Sequence, residues 1–452
     1  MNARLAFACL IFFLAIPAFS QSEKNSNPLK IRFSVDKFKL ENGLTVLLHE
    51  DHSIPMVSYH TWYRVGSRDE QLGVTGAAHM LEHMMFKGAK KYSDKQFDTI
   101  QHENGIQNNA FTTTDYTGFY ENLPSAKLEL IMDAEVDRMK DLALKPEALT
   151  SELQVVGEER RWRVDNSPPS LLREMMMDKL FTVHPYHWPT IGYMKDIQDY
   201  NVEKLRHFYE TFYVPNNAVL VIAGDVDIAK TKKMVEKYYG VLKFKALPDR
   251  LYPVEPEKSK EQRVETEGEV QDTTVVVAYK GAKAGEADGF ALDLAANILG
   301  SGSSSRLYKK LVYQSQKAVA ASSYNVTSAD PGYFLLMASM SPGVSSAYAE
   351  KVFSEEVTKI QKKPVLAAEL SKAKNQIMKE FVDGLMTIDG RAESLAINEI
   401  VEGDYQHIFS DLEKYQKVTV SDIQRVAKQY LLPQKRVTAV LNPKSIKPQS
   451  AN

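Results

Sequence analysis

Two histidines and a glutamate in one short segment are of the types and spacing that hold and use a metal ion. His79 and His83 are four residues apart, and Glu82 stands between them. Residues Ala77–Phe86 contain no glycine or proline, and Lys87–Gly88 supply a basic last turn and a stop signal, so we expect one helix. Positions i, i+3 and i+4 of a helix share a face, so the three side chains converge. Two imidazoles and a carboxylate that can take a proton from water favour a zinc-dependent hydrolase.

The order of these residues is the reverse of the commoner zinc-peptidase motif. Taken alone, the match could be an ordinary amphipathic helix, because short motifs are only hypotheses. His-x-x-Glu-His is, however, the inverted zincin signature. The longer stretch Gly76–Gly88 resembles the active-site segment of the pitrilysin/insulinase family, which includes the mitochondrial processing peptidase. The chain is similar to a zinc-bearing subunit of that branch.

The resemblance implies a third zinc ligand, a glutamate on another helix downstream, and Glu158 and Glu159 compete for this role. Glu159 lies seven residues after Glu152, so these two would share a helix face while Glu158 points away. The family pattern has the same spacing of seven. We therefore predict one zinc ion per chain, held by His79, His83 and Glu159. Glu152 is expected to orient a histidine or the metal-bound water from outside the coordination shell.

Other polar residues near these segments have ordinary explanations. Glu158, Arg160 and Arg161 are expected on a solvated charged face. His184 and His187 could be ligands by type, but three ligands are already assigned, so we interpret both as structural histidines.

Residues Asn108–Thr117 have the threonine and aromatic content of a strand that follows an asparagine-rich turn, and we expect an edge strand there. In the family, a similar strand lies beside the zinc, and an extended substrate adds to it through backbone hydrogen bonds. The alternative is an ordinary hairpin strand whose phenylalanine is simply core. The resemblance implies substrate binding by Asn109, Ala110, Phe111 and Thr112.

Peptide hydrolysis is the chemistry expected of this site. Glu82 would accept a proton from the attacking water and then protonate the leaving amine. The resemblance implies a zinc metalloendopeptidase that acts on unfolded peptides. One alternative is a non-catalytic assembly or peptide-binding subunit, as occurs among family members with degenerate sites. Another is a different metal-dependent hydrolase such as an esterase, for which the chain carries no motif.

Composition indicates a globular protein of more than one domain. The 452 residues are 44% hydrophobic and 25% charged, and the formal net charge is −2. No basic excess suggests nucleic acid as a partner. The length exceeds what one core usually holds, so we expect at least two domains.

The first twenty residues resemble a cleavable signal peptide. Arg4 is followed by an apolar run from Leu5 to Ile16, and small residues precede Gln21. No later stretch approaches the ~18–20 apolar residues of a membrane span. We therefore expect an exported protein, periplasmic in a Gram-negative host and otherwise secreted. The only cysteine, Cys9, lies in this segment, so the mature chain should have no disulfide.

The resemblance implies an α+β fold of two similar domains, each a mostly antiparallel sheet packed with helices, joined as a clam-like half-chamber. Residues 31–242 would be the zinc-binding domain and residues 268–445 the homologous domain, which has no second zinc motif. Residues 243–267 are rich in proline and charge and suit a linker. Strands are expected at Asp272–Tyr279 and Arg436–Leu441.

The family's second domain usually contributes an arginine and a tyrosine, seven residues apart, that reach the substrate and the transition-state oxygen. Val312 and Val319 occupy those positions here, and valine cannot donate a hydrogen bond. Arg306, Tyr308 and Tyr324 match other family positions and are interpreted as structural. The resemblance thus implies a related partner subunit that supplies the pair in a heterodimer, or else a homodimer.

Overall fold

Strands and helices occur in two blocks along the chain. The computed structural model describes residues 31–444, and the expected signal peptide lies outside this range. The described strands are β1 (Asp36–Lys39), β2 (Thr45–Glu50), β3 (Met56–Tyr63), β4 (Gln107–Thr112), β5 (Thr117–Pro124), β6 (Ala218–Gly224), β7 (Gln262–Gly268), β8 (Thr274–Lys280), β9 (Ala318–Val326), β10 (Tyr333–Met340) and β11 (Val437–Pro443).

Helices fill the segments between the strands. The described α-helices are α1 (Ala77–Met84), α2 (Asp94–Glu103), α3 (Leu128–Lys140), α4 (Pro146–Arg160), α5 (Pro168–Leu180), α6 (Met194–Gln198), α7 (Val202–Phe212), α8 (Ile228–Tyr239), α9 (Ala287–Gly300), α10 (Ser346–Lys362), α11 (Ala367–Gly384), α12 (Ile388–Ile397), α13 (His407–Lys417) and α14 (Val420–Tyr430). Short π-helical segments lie at Arg161–Asp165, Tyr308–Gln314 and Asn398–Glu402. None of the helices in residues 31–444 has both the length and the apolar composition needed to cross a membrane.

The strands form two sheets of closely similar topology. The first has the order β1-β2-β6-β3-β5-β4 and the second the order β7-β11-β8-β10-β9. In each sheet the last strand of the block inserts between the first two long strands, parallel to one and antiparallel to the other. Apart from β1, the two orders are the same. The predicted fold class, α+β with two similar and mostly antiparallel halves, is confirmed.

The position of each strand in its sheet follows from its sequence. Every residue of β6 is buried, which is typical of a central strand covered on both faces. Strand β10 alternates between buried and half-buried residues, as expected where the two faces differ. Strand β4, at the end of the first sheet, is half-buried to exposed throughout. The prediction of an edge strand there is confirmed.

Two helices pack against the sheet of the opposite half. Helix α5, from the first block, covers β7, β8 and β11, where Leu172, Met176 and Leu180 join one apolar cluster with Val264 and Val276. Helix α12, from the second block, packs on β3 and β6. This exchange ties the two halves together through apolar contacts.

Polar contacts fix helix α12 on the first sheet. The Asp389 carboxylate accepts hydrogen bonds from Ser58 Oγ at 3.0 Å, His60 Nε2 at 3.1 Å and Asn122 Nδ2 at 3.2 Å. The hydrogen bond from His60 holds the pKa of Asp389 down at about 2, and the hydrogen bonds from Ser58 and Asn122 lower it further against the effect of burial.

One boundary differs from the sequence-based expectation. Residues 243–267 were expected to be a linker, but Gln262–Gly268 is strand β7, paired in parallel with β11. Its valine and threonine positions alternate with charged residues, which is a strand pattern. Residues 262–267 therefore belong to the second sheet. The expected strands Asp272–Tyr279 and Arg436–Leu441 correspond to β8 and β11.

Candidate metal centre

A sharp turn before helix α1 sets the direction of the metal-binding motif. Gly76 has φ 89°, a left-handed conformation that glycine adopts without strain. A Cβ at this position would lie 2.4 Å from the carbonyl oxygen of Ile191, so the close approach of the two segments also requires glycine. The Glu70 carboxylate accepts hydrogen bonds from the backbone N–H groups of Gly76 and Ala78 and so caps the helix. Sequence reasoning did not identify this buried cap.

Helix α1 ends at Met84, two residues before the expected end at Phe86. The basic Lys87 and the left-handed Gly88 follow the helix, as the sequence indicated. The apolar face of α1, formed by Ala77, Ala78, Met80, Leu81 and Met84, is buried in the first core. The opposite side of the helix is therefore left to carry the polar side chains.

The structure brings His79, His83 and Glu159 together. Glu159 Oε2, on α4, lies 3.3 Å from His83 Nε2 and 3.8 Å from His79 Nε2. One nitrogen or oxygen of each residue lies within 4.8 Å of the others, and no other group of three or more His, Cys, Asp or Glu in the described chain meets this criterion. Two imidazole nitrogens and one carboxylate oxygen are the donor set of a catalytic zinc site with an open position. Zinc binding itself stays a prediction.

Glu152 fixes the orientation of one histidine. His83 Nδ1 donates a hydrogen bond to Glu152 Oε2 at 3.0 Å, which leaves Nε2 facing Glu159. The second carboxylate oxygen of Glu152 forms an ion pair with Lys87 Nζ at 2.7 Å. Glu152 is buried, at 3% exposure. A carboxylate behind the histidine is the usual way to fix the tautomer of a metal-binding imidazole.

Glu82, the predicted base, contacts strand β4. Its Oε2 accepts a hydrogen bond from Thr112 Oγ1, at 2.5 Å, on edge strand β4. Burial raises the pKa of Glu82 above its ordinary value, and the hydrogen bond from Thr112 opposes that rise. Glu82 is not a member of the three-residue cluster, so its carboxylate is available for proton transfer.

Charge and burial set the two histidines apart. Burial and the neighbouring His83 lower the pKa of His79 to about 4. Burial also acts to lower the pKa of His83, but its hydrogen bonds to Glu152 and Glu159 outweigh this effect and raise the value to about 9. His79 Nδ1 is buried and has no hydrogen-bond partner among the described residues. His79 is therefore uncharged at neutral pH, whereas His83 carries a proton that it would have to release for a metal ion to bind Nε2.

The expected substrate strand lies next to Glu82. Thr112 contacts the candidate base directly, whereas Phe111 packs edge-on against Trp62, with ring centroids 5.0 Å apart. Ala110 packs against the first core, and Asn109 Oδ1 accepts a hydrogen bond from the Ala110 backbone N–H. Only Thr112 of the four therefore contacts Glu82 through its side chain, and substrate binding by this strand stays a prediction.

Of the charged residues on either side of Glu159, some face solvent and one is buried. Glu158 is exposed and pairs with Arg161, as expected for a solvated face. The expectation for Arg160 was wrong, because its guanidinium is buried and bonds Glu174 at 2.9 Å and the Gly192 carbonyl at 2.8 Å. Helix α5 folds back over it after the π-turn, a change of direction that the sequence did not reveal.

Two other sets of predicted residues lie away from the cluster. His184 Nε2 lies 3.4 Å from Asp330, and His187 Nδ1 bonds the His184 carbonyl, so neither joins the metal group. Val312 packs half-buried against the second core, and Val319 lies on edge strand β9 with 54% of its surface exposed. Neither valine offers a donor.

Arg306 forms an ion pair with helix α11. Its Nε and Nη2 donate to the two oxygens of Glu369 at 2.8 and 2.7 Å. Such a two-point pair holds helix α11 in place. The interpretation of Arg306 as structural agrees with this geometry. The side chains of Tyr308 and Tyr324 line a cavity of about 600 Å³ beside β9.

Family models match most of the chain. Residues 45–192 match the insulinase family, peptidase family M16, and residues 199–377 match the domain described as the peptidase M16 inactive domain. The zinc protease PqqE of Helicobacter pylori is 33% identical over 415 residues, which are 89% of this chain and 92% of that protein.

Solved structures agree with the family match. A protease from Helicobacter pylori superposes with a TM-score of 0.85 and 31% identity, over 91% of this chain and 100% of that one. The periplasmic protease PqqL from Escherichia coli, at 17% identity and a TM-score of 0.76, shares the fold over 91% of this chain and 48% of its own length. This protein therefore belongs to the insulinase family of peptidases, M16, whose curated relatives are named zinc proteases.

Proposed function

We propose that the chain is a zinc-dependent endopeptidase that hydrolyses unfolded peptides. The observation that carries this proposal is the position of Glu82. Its carboxylate is close enough to His83 and Glu159 for their charges to act on its pKa, and it is hydrogen-bonded to Thr112 on a strand at the edge of the first sheet. A candidate base, a group of residues that could hold a metal ion, and an edge strand that could pair with an extended peptide therefore occur in one region.

Each side chain has a distinct part in the proposed reaction. A bound zinc ion would supply Lewis acidity to the water and to the scissile carbonyl. Glu82 would take the proton of the attacking water, hold it on a carboxylate oxygen, and pass it to the departing amine. Thr112 holds the Glu82 carboxylate toward strand β4, and Glu152 holds His83. The resulting products are a free carboxylate and a free amine.

Strand β4 is suited to align the substrate. It pairs with β5 and stands last in the order of the first sheet. Backbone N–H and C=O groups on an outer strand edge can pair with an added extended chain. Pairing of this kind depends on backbone hydrogen bonds and not on side chains. The proposed enzyme would therefore accept peptides of many sequences, provided that they are unfolded. A folded protein could not offer a free strand to this edge.

A related partner subunit would complete the site. Val312 and Val319 stand where the family resemblance implies an arginine and a tyrosine, and losing one oxyanion donor typically costs about 100- to 1000-fold in rate. PqqL, whose fold this chain shares over 48% of that longer chain, is compatible with two similar units working together. We propose a heterodimer, with self-association as the alternative. The apolar residues 5–16 support export to the periplasm or the medium.

Cleavage of a mid-length quenched peptide tests the proposal. The mature chain is freed of metal by a chelator, reloaded with zinc, and assayed alone and mixed with a candidate homologous subunit. We expect weak turnover alone, strong turnover in the mixture, and loss of both on chelation. A pre-folded protein containing the same peptide sequence serves as a control that should resist cleavage. Turnover that survives complete removal of metal would overturn the proposal.

A second candidate function is a non-catalytic peptide-binding or assembly subunit. It is favoured by the match of residues 199–377 to a domain described as inactive and by the two valines. The two functions differ in one measurable respect. A binding subunit would retain the peptide unchanged when zinc-loaded and mixed with its partner, whereas the proposed peptidase would release two fragments.

A further inference from the structure

The turn that follows α4 brings one more charged side chain to the metal centre. Residues Arg161–Asp165 form a π-helical turn, closed by a 2.7 Å hydrogen bond from the Asn166 N–H to the Arg161 carbonyl. Within it, Arg163 Nη1 lies 2.8 Å from Glu159 Oε1. The Arg163 side chain is 61% exposed, so it reaches the carboxylate from the solvent side. Single π-turns inside helical segments occur frequently at functional sites.

The two oxygens of the Glu159 carboxylate have different partners. Oε2 faces His83 Nε2 at 3.3 Å and His79 Nε2 at 3.8 Å. Oε1 points the other way and is paired with Arg163. To rotate Oε1 toward the histidines, the carboxylate would have to break an ion pair of short length. The Glu159 carboxylate therefore faces the two histidines through Oε2.

This arrangement parallels the one behind His83. Glu152 holds the far nitrogen of that histidine, so that Nε2 faces the cluster. Arg163 holds the far oxygen of Glu159, so that Oε2 faces the cluster. Such outer partners orient a ligand without touching the metal. Because the Arg163 side chain is exposed, its removal should change metal affinity by at most about fivefold.

We propose that Arg163 is a positioning residue for Glu159, which it holds so that Oε2 alone is offered to the metal. The inference rests on the proposed function, because it takes Glu159 as a metal ligand. Arg163 does not touch the metal or the reacting atoms; it acts through the carboxylate. Its role is to prevent Glu159 from turning its second oxygen inward or leaving the cluster.

The same turn contains a matched control residue. Arg161 Nη1 bonds Glu158 Oε1 at 2.8 Å, the same length as the Arg163 pair. Glu158 is 75% exposed and lies outside the metal-type cluster. Arg161→Gln therefore removes an equal charge and an equal ion pair from the same turn, without changing the partner of a proposed ligand.

The loss of charge and the loss of positioning predict opposite changes in zinc affinity for Arg163→Gln. A guanidinium close to a metal site repels the metal, so charge alone predicts tighter zinc binding after its removal. Loss of positioning predicts weaker binding, because the carboxylate is then free to adopt other orientations. The sign of the change in zinc affinity therefore identifies the mechanism.

The test is zinc affinity, measured on the mature chain by competition with a chromophoric chelator. We expect Arg163→Gln to bind zinc about three- to fivefold more weakly than wild type, because the ion pair is solvent-exposed, and Arg161→Gln to bind zinc as the wild type does. Arg163→Lys should recover part of the loss, since its ammonium can pair with one oxygen. Thermal unfolding of the metal-free variants checks that each is folded. Excess zinc should restore the turnover of Arg163→Gln if the wild type is active.

Each contrary result has a separate meaning. Unchanged or tighter zinc binding by Arg163→Gln would overturn the inference while leaving the proposed peptidase intact. Equal weakening by Arg161→Gln would also overturn it. A wild-type chain that binds zinc but cleaves nothing, both alone and mixed with a homologous subunit, would count against the proposed function, and the affinity series would still decide the role of Arg163. A wild-type chain that binds no zinc would refute both.

Discussion

Replacing Glu152 with glutamine should weaken zinc binding without disturbing the fold. Glu152 Oε2 accepts the Nδ1–H of His83 at 3.0 Å, and Oε1 pairs with Lys87 at 2.7 Å. Glutamine has nearly the same shape, so no cavity forms. It removes the negative charge and can place an NH₂ group where an acceptor stood. The imidazole of His83 then loses the partner that fixes its orientation and tautomer.

The size of the effect follows from the contacts that are lost. A hydrogen bond to a charged group contributes about 1.5–3 kcal/mol, and about 1.4 kcal/mol is a tenfold change in affinity. The Lys87 side chain is 36% exposed, so its ammonium can turn to water and adds little to the cost. Zinc affinity should therefore fall about 10- to 100-fold.

Chelator competition on the metal-free mature chain measures this change directly. Glu158→Gln is the matched control, because it makes the same substitution on the same helix at an exposed carboxylate outside the cluster. We expect the control to bind zinc as the wild type does. If Glu152→Gln bound zinc within about twofold of the control, the assignment of Glu152 as the residue that orients His83 would be refuted.

Three further substitutions test other parts of the structure. Thr112→Val removes the hydrogen bond to Glu82 and should lower kcat about fivefold, at about 1 kcal/mol, in the peptide assay. Arg138→Met leaves two glutamates unpaired in the core and should lower the free energy of unfolding by about 3–5 kcal/mol in urea titrations. Asp389→Asn should lower the free energy of unfolding by less than about 1 kcal/mol at pH 7, because the Asp389 side chain is 42% exposed. Because the pKa of Asp389 is lowered to about 2 when folded, its contribution is present above about pH 4 and should vanish as pH falls toward 2.

The local parts of the site could be predicted from the sequence. Helical spacing places His79, Glu82 and His83 on one face, and a spacing of seven places Glu152 and Glu159 on another. The structure brings these faces together, and it places Thr112 on the predicted edge strand beside them. Periodicity and the family resemblance were sufficient here because each signal lies within a few turns of chain.

Contacts between distant segments could not be predicted. Asp389 lies 329 residues from His60, and no periodic or spacing signal joins the two. The burial of Arg160 and the ion pair of Arg163 both depend on the π-turn after α4, which redirects the chain into α5. The four charged residues in succession leading into this turn, 158–161, have the composition of a solvated face, and only the tertiary fold decides which of them turn inward.

Substitution of Glu82 is the most direct test of the account. Zinc content and cleavage of an unstructured peptide should be measured together for the wild-type mature chain and for Glu82→Gln, each mixed with the same homologous subunit. We predict that the variant binds zinc as tightly as the wild type and loses about 100- to 10,000-fold of the zinc-dependent cleavage, because the base is gone while the predicted ligands remain. Cleavage at the wild-type rate by a zinc-loaded Glu82→Gln chain would contradict the proposed mechanism.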